Sequence, residues 1–306
     1  MAIVQTNVPI TSASCERMIL DITRTYPFCR SELLTTTAYG RPVRTLVIGN
    51  GPRRVIYSAA HHANEWITAL ILLKFAEELA QNVTENGQIG GVDAGAIYDG
   101  ATIYMVPMVD PDGVDLVVGA IQPGELQYEM ARALADNYPN IPFPSGWKAN
   151  LLGVDLNLQY PAGWLQARDI KFSQGYDRPG PRDYVGRAPL GQLEARALAG
   201  YTEVIDPAVV LAFHSQGKVI YWQFRDIFVP GARELGEEFA RVSGYELADT
   251  PFESSFAGYK DWFIQNFRRP GYTIEVGEGE NPLPLSQFDE IYRDNLPILT
   301  TAALGI

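Results

Sequence analysis

The chain has 306 residues, 46% of them hydrophobic and 11% aromatic, which is enough to bury a large core and excludes a disordered chain. With 24 Lys and Arg against 36 Asp and Glu, the formal charge is -12; such a balance repels phosphate backbones and anionic lipid surfaces and argues against nucleic-acid or membrane partners. Cys15 and Cys29 are too few for a disulfide scaffold, and any imidazole chemistry must come from His61, His62 or His214, the 3 histidines of the chain.

The first residues, Met1 to Asn7, carry neither a basic stretch nor an apolar one, so no secretory signal is visible and a cytoplasmic location is expected, unless an export signal has been processed or truncated away. The longest apolar run, Ile67 to Leu73, stops at Lys74, far short of the roughly 20 residues a membrane span needs. From Thr11 to Arg24, Met18, Ile19 and Ile22 with polar residues between them predict an amphipathic helix ended by Tyr26-Pro27. Two β-rich runs, Arg44 to Ile48 and Val55 to Ser58, flank Gly49-Asn50-Gly51-Pro52, and that turn chemistry predicts a hairpin at a sheet edge.

A helix with a one-sided apolar stripe is expected from Asn64 to Gln81, through Ile67, Leu70, Ile71 and Phe75. Strand-like runs recur at Ala101 to Met108, Val209 to Phe213, Val219 to Trp222 and Tyr272 to Val276. Helical runs occupy Glu125 to Asn137, Leu190 to Val204, Gly231 to Val242, Tyr259 to Asn266 and Ser286 to Leu304. This alternation predicts a three-layer α/β/α fold around a mixed, mostly parallel sheet. The stretches Tyr138 to Gly153 and Pro161 to Pro189 are rich in Gly, Pro and aromatics and are expected to be long loops that wall a cleft.

Three fragments carry chemistry. In His62-Ala63-Asn64-Glu65 an imidazole and a carboxylate sit three apart where a strand hands over to a helix; they either converge on one ion or form a surface pair at a helix start. His214-Ser215 directly follows the apolar run Val209 to Phe213, at the strand end where ligands collect in α/β sheets, or simply caps that strand. Glu275 interrupts the apolar run Tyr272 to Val276, and an acid there is costly unless it has a partner, a task or an edge facing water.

Together the three fragments resemble the zinc carboxypeptidase family, whose pattern of His-x-x-Glu, a distant His-Ser and a late-strand Glu is matched in order by His62, Glu65, His214-Ser215 and Glu275. Asp110-Pro111-Asp112-Gly113 resembles the family's Asn-Pro-Asp-Gly turn, and Gly153 to Asn157 its Gly-Val-Asp-x-Asn segment. The resemblance runs from about Thr36 to Ala303 and implies one catalytic domain over residues 1–306, with residues 1–35 as a helical lead-in packed on it. It implies one Zn2+ on His62, Glu65 and His214 with a coordination position left for water, Glu275 as general base, and Asp155 holding the first histidine. His61 has no place in the pattern and reads as a neighbour.

The chain also departs from the family. The arginine that usually follows Asp-x-Asn is Leu158, beside Asn157 of the substrate-binding pair, and the oxyanion-steadying arginine has only Lys148 near its place. A lysine lacks the bidentate fork of arginine. Tyr259 is a shifted substitute for the family's mobile tyrosine. Lys260 falls at the floor of the pocket for the leaving residue, or else on a solvated helix face. The runs Phe213 to Lys218, Gly258 to Gln265 and Tyr272 to Gly279 resemble the bacterial branch that cleaves γ-D-glutamyl-L-diamino acid bonds of peptidoglycan peptides. The implied partner is thus a muropeptide or peptide substrate; alternatives are a broad carboxypeptidase, an N-acyl amino acid deacylase, and a zinc-bearing cell-wall binding module without turnover.

Overall fold

The computed structural model describes residues 2–305. After α1 (Ser12–Thr25), β1 (Leu33–Thr36) and β2 (Pro42–Arg44) form a small antiparallel ribbon. The main sheet takes β3 (Leu46–Ile48), β4 (Arg53–Ala59), β7 (Ala101–Val106), β8 (Val209–His214), β9 (Val219–Tyr221), β10 (Glu246–Ala248) and β11 (Gly271–Glu275). A short ribbon of β5 (Gln88–Ile89) and β6 (Val92–Asp93) lies outside it. The helices are α2 (Ile67–Glu85), α3 (Ala94–Gly100), α4 (Pro111–Val117), α5 (Leu126–Ala135), α6 (Trp164–Ser173), α7 (Leu193–Ile205), α8 (Ala232–Ser243), α9 (Tyr259–Phe267) and α10 (Phe288–Leu304).

The 7-stranded sheet runs β10-β9-β11-β8-β4-β7-β3, with β11, β8, β4 and β7 mutually parallel, β3 antiparallel to β7, β9 antiparallel to β11, and β10 parallel to β9. Successive side chains along a strand point to opposite faces. Val55, Tyr57, Val209, Leu211 and Phe213 accordingly enter one core with α1, α2, α8 and α10, and Ile56, Val210 and Ala212 enter the other with α6, α7 and α9. This is the expected three-layer arrangement. Helix α2 carries more than a stripe: from Ile67 to Leu73 every side chain is buried, because α1, α3 and α10 pack around it.

The expected hairpin is not formed. Strand β3 pairs with β7, and β4 lies between β7 and β8 at the sheet centre. Residues 49–52 cross past the start of β7, with Gly51 N–H donating to Ala101 O at 3.1 Å; a Cβ on Gly51 would stand 2.1 Å from the Gly100 carbonyl carbon. The glycine is there for that close approach. Residues 161–189 also differ from the expectation, since they contain α6, whose Trp164, Ala167 and Lys171 are buried. Among the described residues no helix is long and apolar enough to cross a membrane.

Candidate active site

The site forms where β4, β8 and β11 end. Leaving β4, Ala60 adopts a left-handed φ of 47°, held by its N–H on Thr68 Oγ1 at 2.9 Å and its carbonyl under Asp110 N–H at 2.9 Å. This bend delivers His62 to the N-cap of a 3-10 turn, Ala63–Glu65. With three residues per turn, positions i and i+3 eclipse in such a helix, which brings His62 Nδ1 and Glu65 Oε1 to 3.0 Å. His214 closes β8 and stands in register with Glu275 of β11. Its Nδ1 lies 3.2 Å from His62 Nδ1 and 2.9 Å from Glu65 Oε2.

The donor atoms of His62, Glu65 and His214 all lie within 4.8 Å of one another, and all three residues are buried. His62 Nε2 is 3.0 Å from Asp155 Oδ1; a carboxylate only accepts, so that nitrogen carries hydrogen and Nδ1 faces the cluster. An imidazole nitrogen aimed at another imidazole nitrogen, with a carboxylate alongside, makes a position that takes a proton or a divalent cation. The donor set of two imidazoles and one carboxylate suits zinc. Burial alone would lower the basicity of His62, but Glu65 and Asp155 outweigh it and lift its pKa to about 9. Burial opposes ionisation of Glu65 as well, yet Lys148 and His62 hold it well below the usual carboxylate range.

Lys148 Nζ lies 2.8 Å from Glu65 Oε1. Burial pulls its pKa down and Glu65 more than restores it, so the ammonium is held charged. Half-buried Glu275 is pushed up to about 8 by desolvation and by the charge of Glu65; a dication held on Glu65 and the two imidazoles would offset that charge and favour the ionised carboxylate. His61, fully buried, stacks on His214 at 5.5 Å between ring centroids and on Tyr259 at 5.7 Å. It braces the second imidazole, whose Nε2 has no hydrogen-bond partner among the described residues. Asp110, in the Asp-Pro-Asp-Gly turn, is buried; it accepts the Gly113 N–H at 3.0 Å, and desolvation raises its pKa well above normal.

A cavity of about 190 Å³ opens beside the cluster, lined by His62, Lys148, Asp155, Asn157, His214, Lys260 and Glu275 among others. Asn157 Oδ1 accepts the Tyr259 N–H at 3.1 Å. Lys260 is 3% exposed, so it does not sit on a solvated helix face. Its Nζ is 2.7 Å from Gln223 O, 3.2 Å from Thr250 Oγ1 and 2.6 Å from Asp261 Oδ1. The expectation for Tyr259 is corrected: its side chain is fully buried and its hydroxyl shares a 2.7 Å hydrogen bond with Thr202 Oγ1, so it does not line the cleft. Tyr221, Arg182, Asp183, Lys171 and Asp261 do line it, and no periodicity or motif marks them.

This architecture defines a zinc carboxypeptidase: the model of that family matches residues 15–298, the chain belongs to it, and the protein is a hydrolase of the metallopeptidase class. Among its relatives, γ-D-glutamyl-L-diamino acid endopeptidase 1 of Lysinibacillus sphaericus is 46% identical over 275 residues, 89% of this chain and 67% of that protein. An uncharacterised protein of Bacillus subtilis is 33% identical over 292 residues, 95% of this chain and 76% of that protein. Thrombin-activatable fibrinolysis inhibitor shares the fold at a TM-score of 0.77 and 15% identity, with 99% of this chain and 76% of that one covered. Murein-tripeptide amidase of Escherichia coli O157 shares it at 0.54 and 18%, covering 90% and 92%.

Proposed function

We propose that this protein holds one zinc ion on His62, Glu65 and His214 and hydrolyses the γ-D-glutamyl-L-diamino acid bond of peptidoglycan peptides. A zinc ion bound there supplies Lewis acidity, which polarises a carbonyl and makes water acidic. Glu275, in register with His214, takes the proton of the attacking water and returns it to the leaving amine. Asp155 fixes the tautomer of His62 from behind. Lys148 keeps a positive charge beside the carboxylate of Glu65, near where negative charge develops on the substrate oxygen.

The observation that carries the substrate reading is the wall of the cavity. It presents the buried pair Lys260 and Asp261 where a broad carboxypeptidase would need an apolar pocket. The side chain of diaminopimelate ends in a carboxylate and an ammonium, and a wall carrying a mutually paired cation and anion, 2.6 Å apart, suits such a zwitterionic end better than an aliphatic one. The name of the Lysinibacillus relative and its 46% identity support the same reading. Leu158, also on the cavity wall, offers nothing to a main-chain terminal carboxylate, which disfavours simple terminal trimming.

The test incubates zinc-loaded protein with a γ-D-glutamyl-diaminopimelate peptide and its lysine analogue and identifies products by mass. Cleavage at the γ-glutamyl bond is expected, faster for diaminopimelate by about ten- to a hundred-fold. Glu275→Gln is expected to keep its zinc and lose about 10²–10⁴-fold or more in kcat. Products that show only removal of terminal residues, or near-normal turnover in Glu275→Gln, overturn the proposal.

A further inference from the structure

Arg182 sits in the irregular segment between α6 and α7, yet its backbone is fixed on both sides. The Pro181 carbonyl before it accepts the N–H groups of Lys148 at 2.7 Å and Ala149 at 2.9 Å. The Asp183 N–H after it donates to Asp155 Oδ2 at 3.2 Å, and Asp183 itself is held at a left-handed φ of 64°. Arg182 is thereby indexed onto the two residues that flank the metal-ligand candidates, Lys148 and Asp155. Strained loop residues that persist in this way cluster at functional sites.

Its charge is not used up by the protein. Asp183 accepts Arg182 Nε at 2.6 Å and Lys171 Nζ at 2.8 Å, so two cations share one carboxylate and one positive charge remains. Among the described residues, neither terminal nitrogen of the Arg182 guanidinium has a hydrogen-bond partner in the protein, and its side chain is 41% exposed. Arg182 also lines a second, outer cavity of about 600 Å³ that meets the first at Lys148, Tyr221 and Glu275. The other cation on that outer cavity, Lys148, is already paired with Glu65. In a chain of formal charge -12, a free guanidinium edge beside the reacting groups is a built anion site. Its planar fork suits a carboxylate.

We infer that Arg182 binds the α-carboxylate of the γ-linked glutamyl residue, on the acyl side of the scissile bond. The inference rests on the proposed substrate and extends it: a γ-linkage leaves that carboxylate free a few bonds from the carbonyl under attack, whereas Lys260 and Asp261 face the leaving residue. Converting the carboxylate to an amide, which gives an isoglutaminyl peptide, removes the charge with little change in shape. Arg182 therefore makes the enzyme selective for the free acid over the amide. It acts as a binding and specificity residue, and the chemistry of proton transfer stays with Glu275.

The experiment compares kcat/KM of the zinc-loaded protein on L-alanyl-γ-D-glutamyl-diaminopimelate and on the same peptide with its glutamyl α-carboxylate amidated. Wild type is expected to favour the acid by about ten- to a hundred-fold. Arg182→Gln brings the ratio close to one by losing rate on the acid, and Arg182→Lys lies between. Equal rates in wild type overturn the inference without recourse to any variant. So does an Arg182→Gln protein that slows both peptides by the same factor, because that is the signature of a loop prop. Failure of wild type to cut either peptide at the γ-glutamyl bond overturns the substrate reading, and this inference with it.

Discussion

Replacing Asp155 by Asn tests how the first imidazole is held. In the native protein three donors converge on the two carboxylate oxygens: His62 Nε2 at 3.0 Å and Asn157 N–H at 3.1 Å on Oδ1, and Asp183 N–H at 3.2 Å on Oδ2. An asparagine has one acceptor oxygen and one NH2 group, so in either orientation at least one donor faces another donor. Leaving such a buried group unmatched costs about 1–3 kcal/mol, and the lost charge makes His62 a weaker base. Zinc affinity is expected to fall about 10–100-fold, the range found when a group behind a ligating histidine is removed.

Competition with a chromogenic chelator measures that loss directly, and urea unfolding of the metal-free protein measures the stability cost. The pH dependence adds a second reading. Although burial opposes it, His62 and Lys148 depress the Asp155 pKa below its unfolded value. A depressed carboxylate contributes stability that is present above about pH 4 and is lost as pH falls toward its folded pKa. The wild type therefore loses stability on acidification through that range more steeply than Asp155→Asn. Unchanged zinc affinity in Asp155→Asn refutes the claim that this carboxylate holds His62.

His214→Ala removes one of three converging donors, and elemental analysis of the purified variant is expected to show zinc far below one equivalent; full occupancy would mean the metal lies elsewhere. Glu194, 3% exposed in the first turn of α7, has its pKa raised to about 7, first by burial and then by Asp112. Its folded form keeps a proton that the unfolded chain releases above about pH 4.5, so stability falls as pH rises from there to 7, on the order of 3 kcal/mol at most. Glu194→Gln should flatten that slope in denaturation midpoints measured across the window, and an unaltered slope would assign it to other groups. Gly51→Ala drives a Cβ to 2.1 Å from the Gly100 backbone and is expected to lower stability by about 1–3 kcal/mol or more, read as a shift in the urea midpoint; a neutral result would contradict the close crossing at β7.

His62, Glu65, His214 and Glu275 were legible because each lies at or just past the end of a run whose hydrophobicity marks it as a strand, and strand ends collect ligands in such sheets. The hairpin reading failed on a feature that was also visible. Val55 to Ser58 lacks the alternation of a half-exposed edge strand, and Val55, Ile56, Tyr57 and Ser58 are all buried in β4; turn residues at 49–52 mark a bend but do not name the partner strand. Tyr259 misled because its place in the motif says nothing about which way the first turn of α9 faces, and packing against His61 and Thr202 decides that. Arg182 could not be found at all, since its segment has no period and its partners, Pro181 O on Lys148 and Asp183 N–H on Asp155, are contacts between distant loops. Helix α6 was hidden for a related reason: one of its buried positions is Lys171, which no apolar pattern marks.

The strand order also governs how the protein comes into being. Strand β4 is flanked by β7, made soon after it, and by β8, made about 150 residues later, with β11 beyond that. His62 and His214 are 152 residues apart in the chain, and Glu275 arrives later still. A nascent chain that has emerged only through β7 holds β3, β4 and β7 of the main sheet, with one side of β4 unpaired, an open edge of the kind that invites aggregation. Pairings this distant are slow to form. The candidate site is therefore among the last parts of the molecule to be completed, and a chain interrupted before β11 carries His62, Glu65 and His214 without Glu275. The four candidate site residues come together only when nearly all of the main sheet has closed.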